Sequence, residues 1–177
     1  MKRMKTIGSD LFTGLAMTDP SKNQVVHVID VDDTLTCKPL NFNNVGMTKE
    51  LFFDASRDFP ANNAMVELTQ MLHSFGDAIA IATARPSSRL PETFEWLQRH
   101  NIPFDLLLLS TEGDTSSVVK QAMIQYLQSK YRMVGTLFDD SPANIQGAVL
   151  QGIDAIQLNT NSEYWDKHPE PTFAYGL

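Results

Sequence analysis

Two short acidic runs carry the residues of this chain whose types and spacing could do chemistry together. Asp30, Asp32 and Asp33 stand in VIDVDDTLT, and Asp139 and Asp140 stand in TLFDD. Asp30 and Asp32 are two positions apart, so in an extended segment their side chains point the same way. Carboxylates brought close together repel one another unless a cation sits between them. Magnesium suits such a set, because it takes oxygen ligands, few of them from protein, and keeps positions for phosphate and water. The two runs therefore predict a Mg2+ site if the fold joins them. An EF-hand loop fits less well: the sixth position counted from Asp30 is Leu35 rather than glycine, and the twelfth is Asn41 rather than glutamate.

Phosphoryl transfer needs a nucleophile in line, an acid for the leaving oxygen, and positive charge around the equatorial oxygens. Asp30 can be the nucleophile, since carboxylates form aspartyl-phosphates. Asp32 can protonate the departing oxygen and later take a proton from water. Thr83 is placed either to hydrogen-bond a phosphate oxygen or to bond backbone at a strand end. Lys120 borders the apolar face of Val119, Met123, Tyr126 and Leu127, where it reads as a phosphate ligand or as a snorkelling lysine. Arg85 and Arg89 follow the apolar run that ends at Thr83. The single cysteine, Cys37, has no adjoining histidine and reads as a structural thiol.

These residues need a scaffold, and the hydrophobic pattern supplies one. Residues 24–30 (QVVHVID), 77–83, 104–109, 134–138 and 154–158 read as buried strands. Between them, residues 62–75, 91–100, 115–130 and 142–151 read as helices, the last opened by Ser141 as a cap and closed by Gly152. Such alternation predicts an α/β fold, a three-layer doubly wound parallel sheet. In such sheets ligands bind beyond the carboxyl ends of the strands, which places Asp30, Thr83 and the Asp139–Asp140 pair in one crevice. The first twenty and last fifteen residues are less patterned, and Tyr164, Trp165, Phe173 and Tyr175 of the tail are expected to pack down. One domain over residues 1–177, with its core at 24–158, fits the length.

Composition narrows the partners. A hydrophobic share of 42% can bury a core without staples, and one cysteine makes no internal disulfide, which suits a cytoplasmic location. The net charge of −7 argues against broad binding to a nucleic-acid backbone but leaves room for a local contact with one phosphate end. Met1-Lys2-Arg3-Met4-Lys5 is basic, yet Gly8, Ser9 and Asp10 interrupt any apolar stretch after it. No run approaches the roughly 18 apolar residues of a membrane span.

With these motifs in place the chain resembles the haloacid dehalogenase (HAD) superfamily, whose phosphatases have a Rossmann-like core. VIDVDDTLT is similar to its DxDxT strand motif, AIAIATAR to its strand ending in threonine, Lys120 to its lysine, and TLFDD to its terminal acidic pair, in that order over residues 24–158. The resemblance implies that Asp30 is nucleophile and metal ligand and that Asp32 is general acid/base with its backbone carbonyl on Mg2+. It implies that Thr83 and Lys120 hold the phosphoryl group, and that Asp139 and Asp140 bind the metal. Asp33 stands where glycine is common, so its side chain is expected to point away or to orient metal-bound waters. A closer resemblance, in residues 64–85, 112–120 and FDDSPANIQGAVLQGI, is to the 3′-phosphatase domain of phage-type polynucleotide kinases. It implies that Arg85 contacts substrate phosphate. There are departures: no GxxxxGK[ST] pattern occurs, Ser116 replaces an acid four before the lysine, and Lys38 and Asn41 stand where an arginine is usual.

The insertion at residues 35–61 is too short for a separate cap domain. Its Phe42, Phe52, Phe53 and Phe59 predict a minimal flap, with packing on the body as the plainer use of the aromatics. The sequence thus predicts a magnesium-dependent phosphomonoesterase. Its substrate is a 3′-phosphorylated polynucleotide end or, alternatively, a nucleotide or other small metabolite. A receiver domain phosphorylated on aspartate is disfavoured, because the third strand ends in Leu109-Ser110 without an acceptor acid.

Overall fold

The structure is a computed structural model that describes residues 5–39, 41–112, 114 and 117–159, and the backbone of 174–175. Its strands are β1 (Lys5–Gly8), β2 (Phe12–Ala16), β3 (Val25–Ile29), β4 (Ala78–Pro86), β5 (Leu106–Ser110), β6 (Met133–Asp139), β7 (Asp154–Gln157) and β8 (Ala174–Tyr175). The helices are α1 (Lys49–Ser56), α2 (Asn63–Ser74), α3 (Leu90–Arg99), α4 (Ser117–Lys130) and α5 (Pro142–Leu150). No helix among the described residues is long and apolar enough to cross a membrane.

The sheet order is β1-β2-β5-β4-β3-β6-β7-β8. The five central strands, β5 to β7, are parallel. From β3 the chain winds outward through β4 and β5 on one side, then returns to β6 and β7 on the other. Strand order therefore reverses between β3 and β6, the switch point where such sheets bind ligands. The doubly wound α/β fold is as the sequence predicts.

Strand periodicity sorts the core onto two faces. Ala78, Ala80 and Ala82 of β4 and Leu106 and Leu108 of β5 face α4 and α5, packing with Val119, Met123, Leu127 and Ala148. Ile79 and Ile81, with Leu107 and Leu109, pack on the other face with Met65 of α2 and Trp96 and Leu97 of α3.

The N-terminal segment departs from the expectation. Instead of unpatterned chain it forms β1 and β2, antiparallel to each other, and β2 adds antiparallel to β5. Phe12 and Ala16 bury themselves in the core. Gly14 reads locally as a strand breaker, but a Cβ there would collide with the Leu107 carbonyl, so glycine is what lets β2 approach β5. β8 adds antiparallel to β7. The rest of the tail, with Tyr164, Trp165 and Phe173, lies outside the described residues.

The insertion is stitched shut at its base. Thr36 bridges Ala61, Cys37 N donates to Pro60 O at 2.8 Å, and Asn62 N donates to Leu35 O at 2.7 Å. Between these ties it carries α1, capped by Thr48, whose hydroxyl accepts from Leu51 N at 3.3 Å. Phe42, Phe52 and Phe59 meet edge to face, and the Trp96 indole N–H donates to Phe59 O at 3.1 Å. The aromatics do pack on the body, while Phe52 and Phe53 also turn toward the cleft described next.

Candidate active site

Register alone brings the two acidic runs together. Ile29 of β3 pairs with Phe138 of β6, and Asp30 N donates to Phe138 O at 2.9 Å, so Asp30 and Asp139 leave the sheet side by side. On the other flank Ile29 pairs with Ile81 of β4, which sets Thr83 at the same edge. Asp30, Asp139 and Asp140 each place a carboxylate oxygen within 4.8 Å of the others.

After Asp30 the chain makes one irregular turn, Val31–Leu35, in which Asp33 takes φ 60° and ψ 20°. This is the left-handed region that glycine enters freely and aspartate tolerates. The Asp33 carboxylate pairs with Lys38 at 2.7 Å.

Lys120, on α4, is 4% exposed and reaches between the acids. Its Nζ donates to Asp30 Oδ1 at 2.8 Å and to the Ala82 carbonyl, and lies 3.0 Å from Asp139 Oδ2. Burial would lower its pKa, but Asp139 and Asp30 more than offset that, so it is held protonated. Asp139 is anchored further by Ser141 N at 2.9 Å and by the Asn144 amide, which donates to Oδ1 at 3.1 Å and Oδ2 at 3.0 Å. Thr34 Oγ1 donates to Asp30 Oδ2 at 3.4 Å.

One lysine does not balance this cluster. Burial raises the Asp30 carboxyl well above its usual range, and Asp139, Asp140 and Asp32 add to that against the opposing pull of Lys120. Burial, with Asp139 and Asp33, raises Asp140 to about 7. Oxygen donors crowded together with a shortage of positive charge fit a divalent magnesium ion.

A pH dependence follows from the sign of these shifts. A carboxyl whose folded pKa is raised loses stability as pH rises from its unfolded toward its folded value. Without divalent cations, the melting temperature is expected to fall between pH 3.8 and about 7 on account of Asp140. Asp140→Asn and saturating magnesium should each flatten that slope. Melting curves across pH with and without magnesium test this, and an identical slope in both buffers would count against the cation.

Asp32 lies apart from this trio. Arg85 grips it with two parallel hydrogen bonds, Nε to Oδ2 at 2.9 Å and Nη2 to Oδ1 at 2.7 Å. Arg85 is itself 2% exposed and also donates to Ser56 and Thr93. Thr83 is buried, and its hydroxyl accepts from Arg85 N at 3.2 Å. Arg89 turns outward to Asp54 at 2.6 Å, and its pKa is raised chiefly by that hydrogen bond. Burial, then Asp33, pushes the Cys37 thiol up, which suits an inert role.

A cleft of about 410 Å³ opens over these groups. Asp30, Asp32, Thr83, Arg85, Asp139 and Asp140 line it, together with Lys49, Phe52 and Phe53 of α1. Lys120 does not line the cleft itself but contacts two of the acids that do, Asp30 and Asp139. Sequence reasoning missed Asn144, Ser56, Thr93 and Lys49. Of these only Asn144 had a local signal, three residues after the Ser141 cap in the first turn of α5.

The family model for HAD superfamily, subfamily IIIB (acid phosphatase) matches residues 9–171. No curated protein matches the chain. Among solved structures, a chain of the Pnkp1/Rnl/Hen1 complex aligns with a TM-score of 0.61 at 20% identity, covering 79% of this chain and 48% of that one. A chain of the Pnkp1/Rnl/Hen1 RNA repair complex gives 0.63 at 18% identity, covering 80% and 44%. A HAD-like phosphatase from Mesorhizobium loti gives 0.55 at 11% identity, covering 85% and 75%. The alignments thus span less than half the length of the two complex chains, and at these identities the likeness is one of fold. The family match, by contrast, takes in both acidic runs, Thr83 and Lys120, and with it the chain belongs to the HAD superfamily, subfamily IIIB (acid phosphatase).

Proposed function

We propose that this chain is a phosphatase that works through a phosphoaspartate on Asp30 and needs magnesium. The observation that carries the reading is the setting of Asp30: its carboxylate bonds Lys120 at 2.8 Å, sits within 4.8 Å of Asp139 and Asp140, and faces an open cleft. In the first half-reaction an Asp30 oxygen bonds to phosphorus while the ester P–O bond breaks, and Asp32 gives its proton to the leaving oxygen. In the second, water attacks phosphorus, Asp32 takes its proton, and the Asp30 carboxylate and inorganic phosphate are released. Lys120 and the Thr83 hydroxyl stabilise the phosphoryl oxygens. A magnesium ion would be held by Asp30, Asp139, Asp140 and the Asp32 carbonyl, and would supply positive charge to the transferring group. Residues 24–158 would form the catalytic unit, with residues 35–61 as its flap.

For substrate we infer a 3′-phosphorylated polynucleotide end. The flap is one helix of 8 residues, which leaves space for a chain to run out of the cleft. The fold likeness to a chain of an RNA repair complex points the same way. A nucleotide or other small phosphomonoester is the second reading, favoured by a cleft of about 410 Å³, in the range of small-molecule sites. A panel decides between them: a 3′-phosphorylated oligonucleotide against free 3′- and 5′-nucleotides, compared by kcat/KM. The oligonucleotide is expected to lead by at least about tenfold, or roughly 1.4 kcal/mol of transition-state binding. Free nucleotides ahead by orders of magnitude would remove the polynucleotide reading and leave the chemistry standing.

A further inference from the structure

Arg85 has five N–H donors. Two go to Asp32, at 2.9 and 2.7 Å. One goes to Ser56 Oγ at 2.9 Å and one to Thr93 Oγ1 at 3.2 Å. A single donor is left for any phosphate. The guanidinium is also 2% exposed, and Ser56 and Thr93 are fully buried. A side chain so committed holds another group in place more readily than it binds an incoming anion. The planar fork against a carboxylate fixes both distance and orientation.

The two hydroxyls come from different parts of the molecule. Ser56 ends α1 of the flap, and Thr93 lies in α3 beyond β4. Ser56 is itself oriented, since its hydroxyl donates to Phe53 O at 2.8 Å. Its oxygen therefore presents a lone pair to Arg85. Phe53 stands with its ring 6.0 Å from the guanidinium carbon and lines the cleft. Flap, arginine and Asp32 thus form one connected chain of contacts.

We propose that Ser56 and Thr93 are positioning residues: through Arg85 they hold the Asp32 carboxyl at the angle from which it protonates the leaving oxygen. This rests on the reading of Asp30 as nucleophile and Asp32 as general acid. It assigns Arg85 a task within the protein rather than on the substrate phosphate. It also makes the flap part of the proton-transfer apparatus, because one of its residues fixes the acid.

The test uses leaving groups. 4-Nitrophenolate departs without a proton, whereas an alkoxide needs one, so a misplaced acid slows alkyl phosphates selectively. For a phosphoenzyme mechanism kcat/KM reports the step that forms phosphoaspartate, where Asp32 acts as acid. Ser56→Ala and Thr93→Val are each expected to lower the ratio of kcat/KM for an alkyl phosphate to that for 4-nitrophenyl phosphate by about tenfold or more, out of the roughly 10²–10⁴ that an acid contributes. Ser56→Thr and Thr93→Ser keep the hydroxyl and should restore the ratio. Should one alanine or valine variant not fold, the other pair carries the test. A ratio unchanged in both Ser56→Ala and Thr93→Val, whether both substrates slow together or neither does, overturns the proposal. Asp30→Asn separates the two levels: full turnover in that variant removes the underlying mechanism, whereas its inactivity with an unchanged ratio in both Ser56→Ala and Thr93→Val removes only the positioning role.

Discussion

Asp30→Asn is expected to abolish turnover of every phosphomonoester while leaving a folded protein that melts no lower than the parent in magnesium-free buffer. The first half follows from chemistry: an amide is neutral and cannot open the ester by forming a phosphoaspartate. The size of the effect is that of removing a nucleophile, on the order of a millionfold in kcat. The second half follows from electrostatics. Asp30 is buried among Asp139, Asp140 and Asp32, with Lys120 as the opposing charge. Replacing one of these acids relieves repulsion that the fold tolerates for the sake of the site. Steady-state kinetics and a melting curve on the same preparation read both halves. Full activity in the variant would exclude the phosphoaspartate, and an inactive but much less stable protein would show Asp30 to be structural.

Lys120→Met carries the second largest effect and the opposite stability sign. Three polar partners converge on the buried Lys120 ammonium, from Asp30, Asp139 and Ala82. Methionine keeps the length of the stem but leaves the carboxylates without their counter-charge. Breaking one partner out of a buried ionic set costs about 3–5 kcal/mol. For a domain of this size that lowers the melting temperature by roughly 10 °C. Magnesium should recover much of the loss, because a cation among Asp30, Asp139 and Asp140 supplies the same charge. kcat/KM should fall by about 10²–10³ even with magnesium, the usual cost of one lost donor to developing phosphoryl charge. An unchanged melting temperature without divalent ions would mean that the acids are not charged together.

How far these side chains could be read in advance depended on whether their partners were local. Asp30, Thr83 and Asp139 each end an apolar run, and strand registers carry such ends to one edge, so their meeting was legible from periodicity. Lys120 was legible only through its motif, because the Asp30 it bonds lies ninety positions away and a lysine at an apolar border usually snorkels. The Arg85 bond to Asp32 spans fifty-three positions, and that to Ser56 spans twenty-nine. No local pattern announces contacts of that kind. β2 was illegible for the converse reason: Gly14 looks like an interruption until Leu107 is seen lying against it.

That N-terminal hairpin has a further consequence. β5 is a run of four leucines and a serine, all buried. Without β2 and β1 it would be the outermost strand of the sheet, offering an open row of backbone donors and acceptors beside a greasy surface. Such an edge recruits strands from other molecules and seeds insoluble assemblies. β1 makes a far poorer template, being four residues long, largely exposed and charged at Lys5, which pairs with Asp19 at 2.6 Å. The hairpin adds nothing to the acids that face the cleft. It decides instead whether the protein that bears them stays dispersed as it leaves the ribosome or after its first residues are clipped.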